Sequence, residues 1–147
     1  MKIISQAFNN NERIPDKYTC KGENINPPLE ILDVPPATQS LAFIMDDIDS
    51  PNRIFVHWVV YNIDPKNLSI KEGEGFNNAT EGINSLNQVG YLGPCPRAGV
   101  KLHHYYFKIY ALDIKPNLPP KATKEKVLET IQNHILDKAE LMGTYSL

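Results

Sequence analysis

The sequence predicts a mainly β domain with one amphipathic helix near its carboxyl terminus. Three observations predict it. Proline accounts for 12 of 147 residues, against a usual share of about 5%, and half of these stand as Pro27-Pro28, Pro35-Pro36 and Pro119-Pro120. Such punctuation breaks helices and suits strands joined by shaped loops. The long apolar runs are rich in β-branched and aromatic residues, which favour strands. Only one segment carries helical spacing.

Taken in order, Pro28 to Leu32 alternates and predicts a short strand. Leu41 to Met45 is an apolar run ending in carboxylates and predicts a buried strand. Ile54 to Ile63 is β-branched and aromatic on both faces, which predicts a strand in the middle of a sheet covered on both sides. Asp64 to Val89 is rich in Asn, Gly and Glu and reads as a long irregular connection, a type often functional or packed against a functional site. Tyr105 to Leu112 is another aromatic strand. Thr123 is a suitable N-cap and Glu125 suits a first turn. Val127, Leu128, Ile131, Ile135 and Ala139 make an apolar stripe, which predicts a helix over 123–138 packed on the sheet. Leu141 to Leu147 then returns as a final extended segment.

The length fits one domain, 1–147. Fifteen Lys and Arg against seventeen Asp and Glu give a net charge of -2, so bulk electrostatics predict no nucleic-acid partner. The ten residues 54–63 carry no formal charge, whereas a helix needs about twenty apolar residues to span a bilayer. No membrane span is expected. Residues 1–6 turn polar too soon for a signal-peptide core, and the expected location is the cytoplasm. There the two cysteines, Cys20 and Cys95, read as reduced, buried thiols. Their spacing leaves a bridge open, since only their separation in the fold decides it.

Period-two alternation sorts the polar residues by face. Asp47 and Asp49 share parity with Phe43 and Met45, while Asp46 points away, provided the strand stays extended to Asp49. His57 is the only ionisable residue between Arg53 and Asp64. His103 and Tyr105 share a face and His104 takes the other. Gly90 to Pro96 is a loop whose glycines let backbone N–H groups approach a small ligand. Together these give Asp47, Asp49, His57, His103 and Tyr105, with the 90–96 loop that contains Gly93 and Pro94, as candidate ligand-binding residues.

The combination resembles the phosphatidylethanolamine-binding protein family, in particular its short prokaryotic Raf-kinase-inhibitor-like branch. The resemblance rests on Tyr18-Thr19-Cys20-x-Gly22-x-Asn24-x-x-Pro27-Pro28-Leu29, on Asp46-Asp47-Ile48-Asp49-Ser50-Pro51 and on Val56-His57-Trp58. Gly90-Tyr91-x-Gly93-Pro94-Cys95-Pro96 through His103-x-Tyr105 and Leu141-Met142-Gly143-Thr144-Tyr145 continue it. Ile48, Ser50, Arg97 and His104 depart from the family pattern, and His104 stands where Arg is usual. The resemblance implies a large central antiparallel sheet packed against a smaller sheet, and a pocket for phosphate-like anions formed by Asp47, Asp49, His57, Gly93, His103 and Tyr105. It also implies a homodimer, and a protein partner such as a kinase or protease that the chain regulates or inhibits.

A non-enzymatic anion-binding protein, with no cofactor and no metal, is the reading the residues favour. Two imidazoles, a phenol and loop N–H groups are donors suited to a phosphoryl group. The alternative is a hydrolase or metal-dependent enzyme using the Asp/His cluster, although no metalloprotease or nucleophile-elbow motif occurs. A third reading is an interaction domain whose pocket is vestigial. Asp47 and Asp49 are expected to raise the pKa of both histidines, and Ser50-Pro51 is a candidate cis bond.

Overall fold

A computed structural model describes residues 1–147 and places them in two antiparallel sheets and one helix. The large sheet is built from β3 (Ser40–Asp47), β4 (Phe55–Ile63), β6 (Thr80–Glu81), β7 (His103–Leu112) and β8 (Ile135–Tyr145), in the order β6-β4-β3-β7-β8. The small sheet has the order β1-β2-β5, from Lys2–Ile4, Leu29–Leu32 and Ser69–Ile70. A 3-10 turn at Asp16–Tyr18 and the helix α1 (Lys124–Ile131) complete the elements.

The central strand is β3, not the 54–63 segment. All eight of its residues are buried, because β4 and β7 flank it and both of its faces are covered. β4 starts at Phe55 and lies one place from the sheet edge, beside the two-residue β6. It is nonetheless buried almost throughout. The connection that follows it supplies the missing neighbour, with Gly82 N–H donating to Val59 O at 2.8 Å and Ser85 N–H to Val56 O at 2.9 Å. An apolar run therefore reports coverage, and an irregular segment can provide coverage as well as a strand.

Two cores result. Phe43, Met45, Trp58, Phe107 and Ile109 face the small sheet and pack on Ile3, Leu29 and Ile31. On the opposite face Ala42, Val56, Val59 and Tyr61 pack against Val127 and Ile131 of α1. The helix begins as expected, with the Thr123 hydroxyl accepting from Lys126 N–H at 3.1 Å. It ends at Ile131, seven residues short of the expected 138. Ile135 and Ala139 extend the helical stripe by coincidence of spacing, but both belong to β8, in register with Leu112 and Ile109 of β7. Ten cross-strand partners outweigh the propensity of seven further helical residues.

Asp46 lies on the α1 side of the sheet, away from Asp47, as alternation requires. It is fully buried, and its carboxylate holds Lys124 Nζ at 2.8 Å and Lys108 Nζ at 3.3 Å. The pair ties the first turn of α1 to the middle of the sheet. Removing one partner of a buried ion pair costs about 3–5 kcal/mol, and both lysines can still reach water. Asp46→Ala should therefore fall near the lower figure, about 3 kcal/mol, in urea unfolding monitored by Trp58 fluorescence.

Candidate functional site

A cavity of about 850 Å³ opens at the end of the large sheet where β3 stops and β4 and β7 begin. Antiparallel register explains the meeting, for Asp47 lies directly between Phe55 of β4 and Tyr105 of β7. Asp47, Asp49, His57, Gly93, His103 and Tyr105 all line it. Of the candidate residues only Pro94 does not; it is buried behind the wall, where its carbonyl accepts from Cys20 N–H at 3.1 Å.

His57 reaches the cavity through a β-bulge. Met45 pairs with Trp58 and the next residue, Asp46, pairs with Val56, which leaves His57 without a partner. Simple alternation would put His57 with Val59 and Tyr61 on the α1 side. The extra residue reverses the parity, so that Phe55 and His57 share the cavity side with Asp47 and Tyr105. Bulges commonly re-aim a side chain in this way beside a site. The freed His57 carbonyl accepts from Leu92 N–H at 3.2 Å, and the ring Nδ1 meets Leu92 O at 2.6 Å. A carbonyl can only accept, so Nδ1 carries the proton and Nε2 is left for the cavity.

Burial pushes the His57 pKa below its ordinary value of 6.5, a stronger influence than the hydrogen bond to Leu92 and the charge of Asp47 that oppose it. This corrects the expectation of a raised value. The carboxylates are near, but the ring is 5% exposed and its direct partner is an uncharged carbonyl. His103 is held differently. Its Nδ1 lies 2.7 Å from Asp47 Oδ2, again leaving Nε2 on the cavity side. The Tyr105 ring meets His57 edge-on at 5.3 Å and stacks beside His103 at 6.3 Å. Burial raises its phenol pKa strongly, so the hydroxyl keeps its proton.

Beyond Asp47 the strand turns instead of continuing. Asp47 Oδ1 accepts from Asp49 N–H at 2.8 Å, a side-chain turn that Asp favours. Asp49 thus swings back to β7, where its Oδ2 meets His104 N–H at 2.8 Å and His104 Nδ1 at 2.7 Å. Burial alone would raise the Asp49 pKa, but the two His104 hydrogen bonds outweigh it and lower the value. The turn is made without a cis bond: every peptide is trans, so the Ser50-Pro51 expectation is overturned. Asn52, with φ of 73°, completes the reversal.

The 90–96 loop also differs from expectation. Gly93 N–H is not free for a ligand, since it donates to Asn24 Oδ1 at 2.9 Å. Glycine is required there for space, because a Cβ would collide with Tyr18 O and Asn24 Oδ1. Tyr91 OH donates to Tyr18 O at 2.7 Å. Cys20 and Cys95 are neither reduced nor buried: they form a disulfide with Cα atoms 5.4 Å apart, and both are exposed residues of the cavity wall. Sequence separation is silent on such a bridge. The fold supplies it by laying the 90–96 loop against the segment that follows the 3-10 turn.

Four contributors escaped the sequence reading. Phe55 enters through the bulge, and its ring packs 4.8 Å from His57. Arg97 and Lys101 bring cations to the wall. His104, on the opposite parity, acts through Asp49. A basic residue at 104 was the available signal, because the carboxylate two residues beyond Asp47 needs a donor.

The sequence profile of the phosphatidylethanolamine-binding protein family matches residues 4–146. The chain belongs to that family. It is 44% identical over 150 aligned positions to a UPF0098 protein of Methanothermobacter thermautotrophicus, covering 99% of this chain and 98% of the relative. A crystal structure titled as a putative phosphatidylethanolamine-binding protein homologue, CT736 from Chlamydia trachomatis, superposes with a TM-score of 0.94 at 40% identity, over 99% of this chain and 97% of the other. Escherichia coli YbcL, titled a member of the mammalian family, gives 0.91 at 25% identity, over 99% and 98%. The mainly β architecture of two antiparallel sheets is the fold of these relatives.

Two outcomes follow from the geometry. Gly93→Ala should displace the loop and cost about 1–3 kcal/mol, read as a lowered denaturant midpoint and changed His57 ring chemical shifts. Because the folded His57 pKa lies below the unfolded value of 6.5, the unfolded chain binds the extra proton first. Stability should therefore fall as pH is lowered through about 6.5 toward the folded pKa. His57→Gln should remove that part of the acid slope in urea titrations at stepped pH.

Proposed function

We propose that the cavity binds a small oxyanion, a phosphate monoester or phosphoryl headgroup, and that the protein is a binding protein, not an enzyme. The observation that carries the reading is the orientation of the two histidines. Each ring commits Nδ1 to the protein, His57 to Leu92 O and His103 to Asp47. Each leaves Nε2 beside Tyr105 at the cavity floor, while Arg97 and Lys101 stand in its wall. Three short-range polar groups and two cations suit a tetrahedral anion. The family name, which refers to a phosphoryl-bearing lipid, supports the same chemistry. A regulatory or inhibitory action on a kinase or protease is the wider role the family resemblance favours. The enzymatic alternative has less support: no three His, Cys, Asp or Glu side chains are grouped as a metal ion needs, and Asp49 is engaged by His104.

Neutral His57 offers a lone pair at Nε2, so it binds an anion that still carries a proton. A phosphate monoester loses its second proton near pH 6. Affinity should be greatest in mildly acid buffer and fall as the pH rises, because the dianion has no proton to give and meets the Asp47 charge. Sulfate, with no proton to donate in this range, should bind more weakly than phosphate. His57→Gln and His103→Ala should each weaken binding by about 1.5–3 kcal/mol. Calorimetric titration of glycerol phosphate at several pH values tests this. Affinity that is flat with pH and unchanged in both variants would remove the proposal.

A further inference from the structure

The Cys20–Cys95 disulfide stands in the wall of the cavity, and the wall beyond it has almost no other tether. On one side Cys20 is firmly seated. Its N–H donates to Pro94 O, and the preceding Thr19 is fully buried, its hydroxyl 2.9 Å from Asp16 O and 3.1 Å from Tyr145 OH. On the other side the loop is pinned as far as Pro94 by the Tyr91, Leu92 and Gly93 hydrogen bonds described above and by the one from Cys20 N–H. From residue 96 to residue 102 there is one backbone hydrogen bond, Val100 N–H to Arg97 O at 3.5 Å, made within the segment itself. Neither Arg97 nor Lys101 forms an ion pair or side-chain hydrogen bond. The segment nevertheless supplies Pro96, Arg97, Val100 and Lys101 to the cavity. The disulfide is thus the last tie before β7, holding the part of the wall that carries both cations.

We propose that Cys20–Cys95 is a thiol–disulfide exchange site through which a dithiol reductant loosens the 96–102 wall and lowers the cavity's affinity for its anion. Both cysteines are exposed, so an incoming thiolate can reach a sulfur. The thiolate attacks Sγ of one cysteine and forms a mixed disulfide. The Cys20–Cys95 bond breaks, and the second cysteine leaves as a thiolate that takes a proton from water. The reductant's other thiol then attacks the mixed disulfide, frees the first cysteine and closes the reductant's own disulfide. Two electrons pass from the dithiol to the bridge. Arg97 and Lys101 are then carried on a segment that has lost its covalent anchor at Cys95, with Pro94 the last residue held before β7, and they pay a larger ordering cost on each binding event.

The affinity part rests on the oxyanion reading, so the test reads the wall and the ligand separately. The oxidised protein, the protein reduced with dithiothreitol without denaturant, and the double variant Cys20→Ser/Cys95→Ser are compared. Thiol titration counts free cysteines, 15N relaxation follows the mobility of residues 97–102, amide hydrogen exchange follows the β3, β4 and β7 strands, and calorimetry measures glycerol phosphate binding. The expected result is two free thiols in the folded reduced protein, with lower order parameters confined to 97–102 and the strands still protected. Affinity should drop roughly tenfold in the reduced and double-Ser forms, the loss of about one charge-assisted contact at about 1.4 kcal/mol. A bridge that resists reduction in the folded protein overturns the proposal. So does a reduced protein whose strands lose protection, since the bridge is then a structural staple. Unchanged order parameters over 97–102, or lower ones there with undiminished affinity, also overturn it. If the oxidised form does not bind glycerol phosphate, the oxyanion reading fails, and greater mobility confined to 97–102 in the reduced protein still upholds the exchange site.

Discussion

The cavity depends on one extra residue in β4. Without the bulge at His57, period-two alternation would turn Phe55 and His57 toward α1, and the ring would meet Val127 instead of Tyr105. With it, Val56 stays in the α1-side core while His57 and Trp58 both face the small-sheet side. The bulge also frees a carbonyl, which Leu92 N–H takes up. That bond and the one from Nδ1 fix the loop from both ends of the same residue. A second irregularity, at Asn62 with φ of 55°, restores the original parity, so that Ile63 pairs with Leu41 and returns to the small-sheet core. β4 therefore changes face twice in nine residues, and the site occupies the first of those changes.

How much of this the sequence reveals depends on the regularity of each strand. β3 and β7 pair without interruption from Ser40–Leu112 to Asp47–Tyr105. Alternation accordingly places Asp46 on one face and Asp47, His103 and Tyr105 on the other. In β4 alternation gives the wrong face, and His57 is found because it is the one ionisable residue there and because Val56-His57-Trp58 carries the family resemblance. Neither bulge has a glycine to mark it. Asp49 lines the cavity as expected but not by strand extension: its position follows from a turn closed by Asp47 Oδ1, and a side-chain acceptor of this kind is invisible to period counting. The disulfide, the cationic wall at Arg97 and Lys101 and the end of α1 depend on contacts distant in sequence. Helical spacing over 127–139 is a local signal that the β7–β8 ladder overrides.

The two histidines divide the work because their Nδ1 partners differ in charge. Leu92 O is neutral, so its hydrogen bond and the more distant Asp47 charge only partly offset the loss of water, and the His57 pKa stays below its ordinary value. Asp47 is a carboxylate, and it holds His103 Nδ1 at 2.7 Å. One floor thus presents a ring held by a backbone carbonyl and a ring held by a carboxylate. Pairs of titratable groups in contrasting environments are a frequent mark of binding and reactive sites, and here the contrast arises from a bulge on one strand and a carboxylate on the next.

For the proposed anion, a cavity lined by Asp47 and Asp49 looks self-defeating until their oxygens are assigned. Asp47 Oδ1 accepts from Asp49 N–H and Oδ2 from His103. Asp49 Oδ2 takes both donors of His104. Three of the four oxygens are thus committed to the protein, and the carboxylates act mainly by orienting what faces the cavity. Asp47 aims the His103 ring, and Asp49 ties the 48–52 turn to the start of β7. His104 makes that second role possible. With a donor on both its backbone and its ring it holds Asp49 from outside the cavity, apart from the floor of His57, His103 and Tyr105. The proposed anion, seated on that floor, would meet imidazole nitrogen and phenol hydroxyl first, with the Asp47 carboxylate behind the His103 ring.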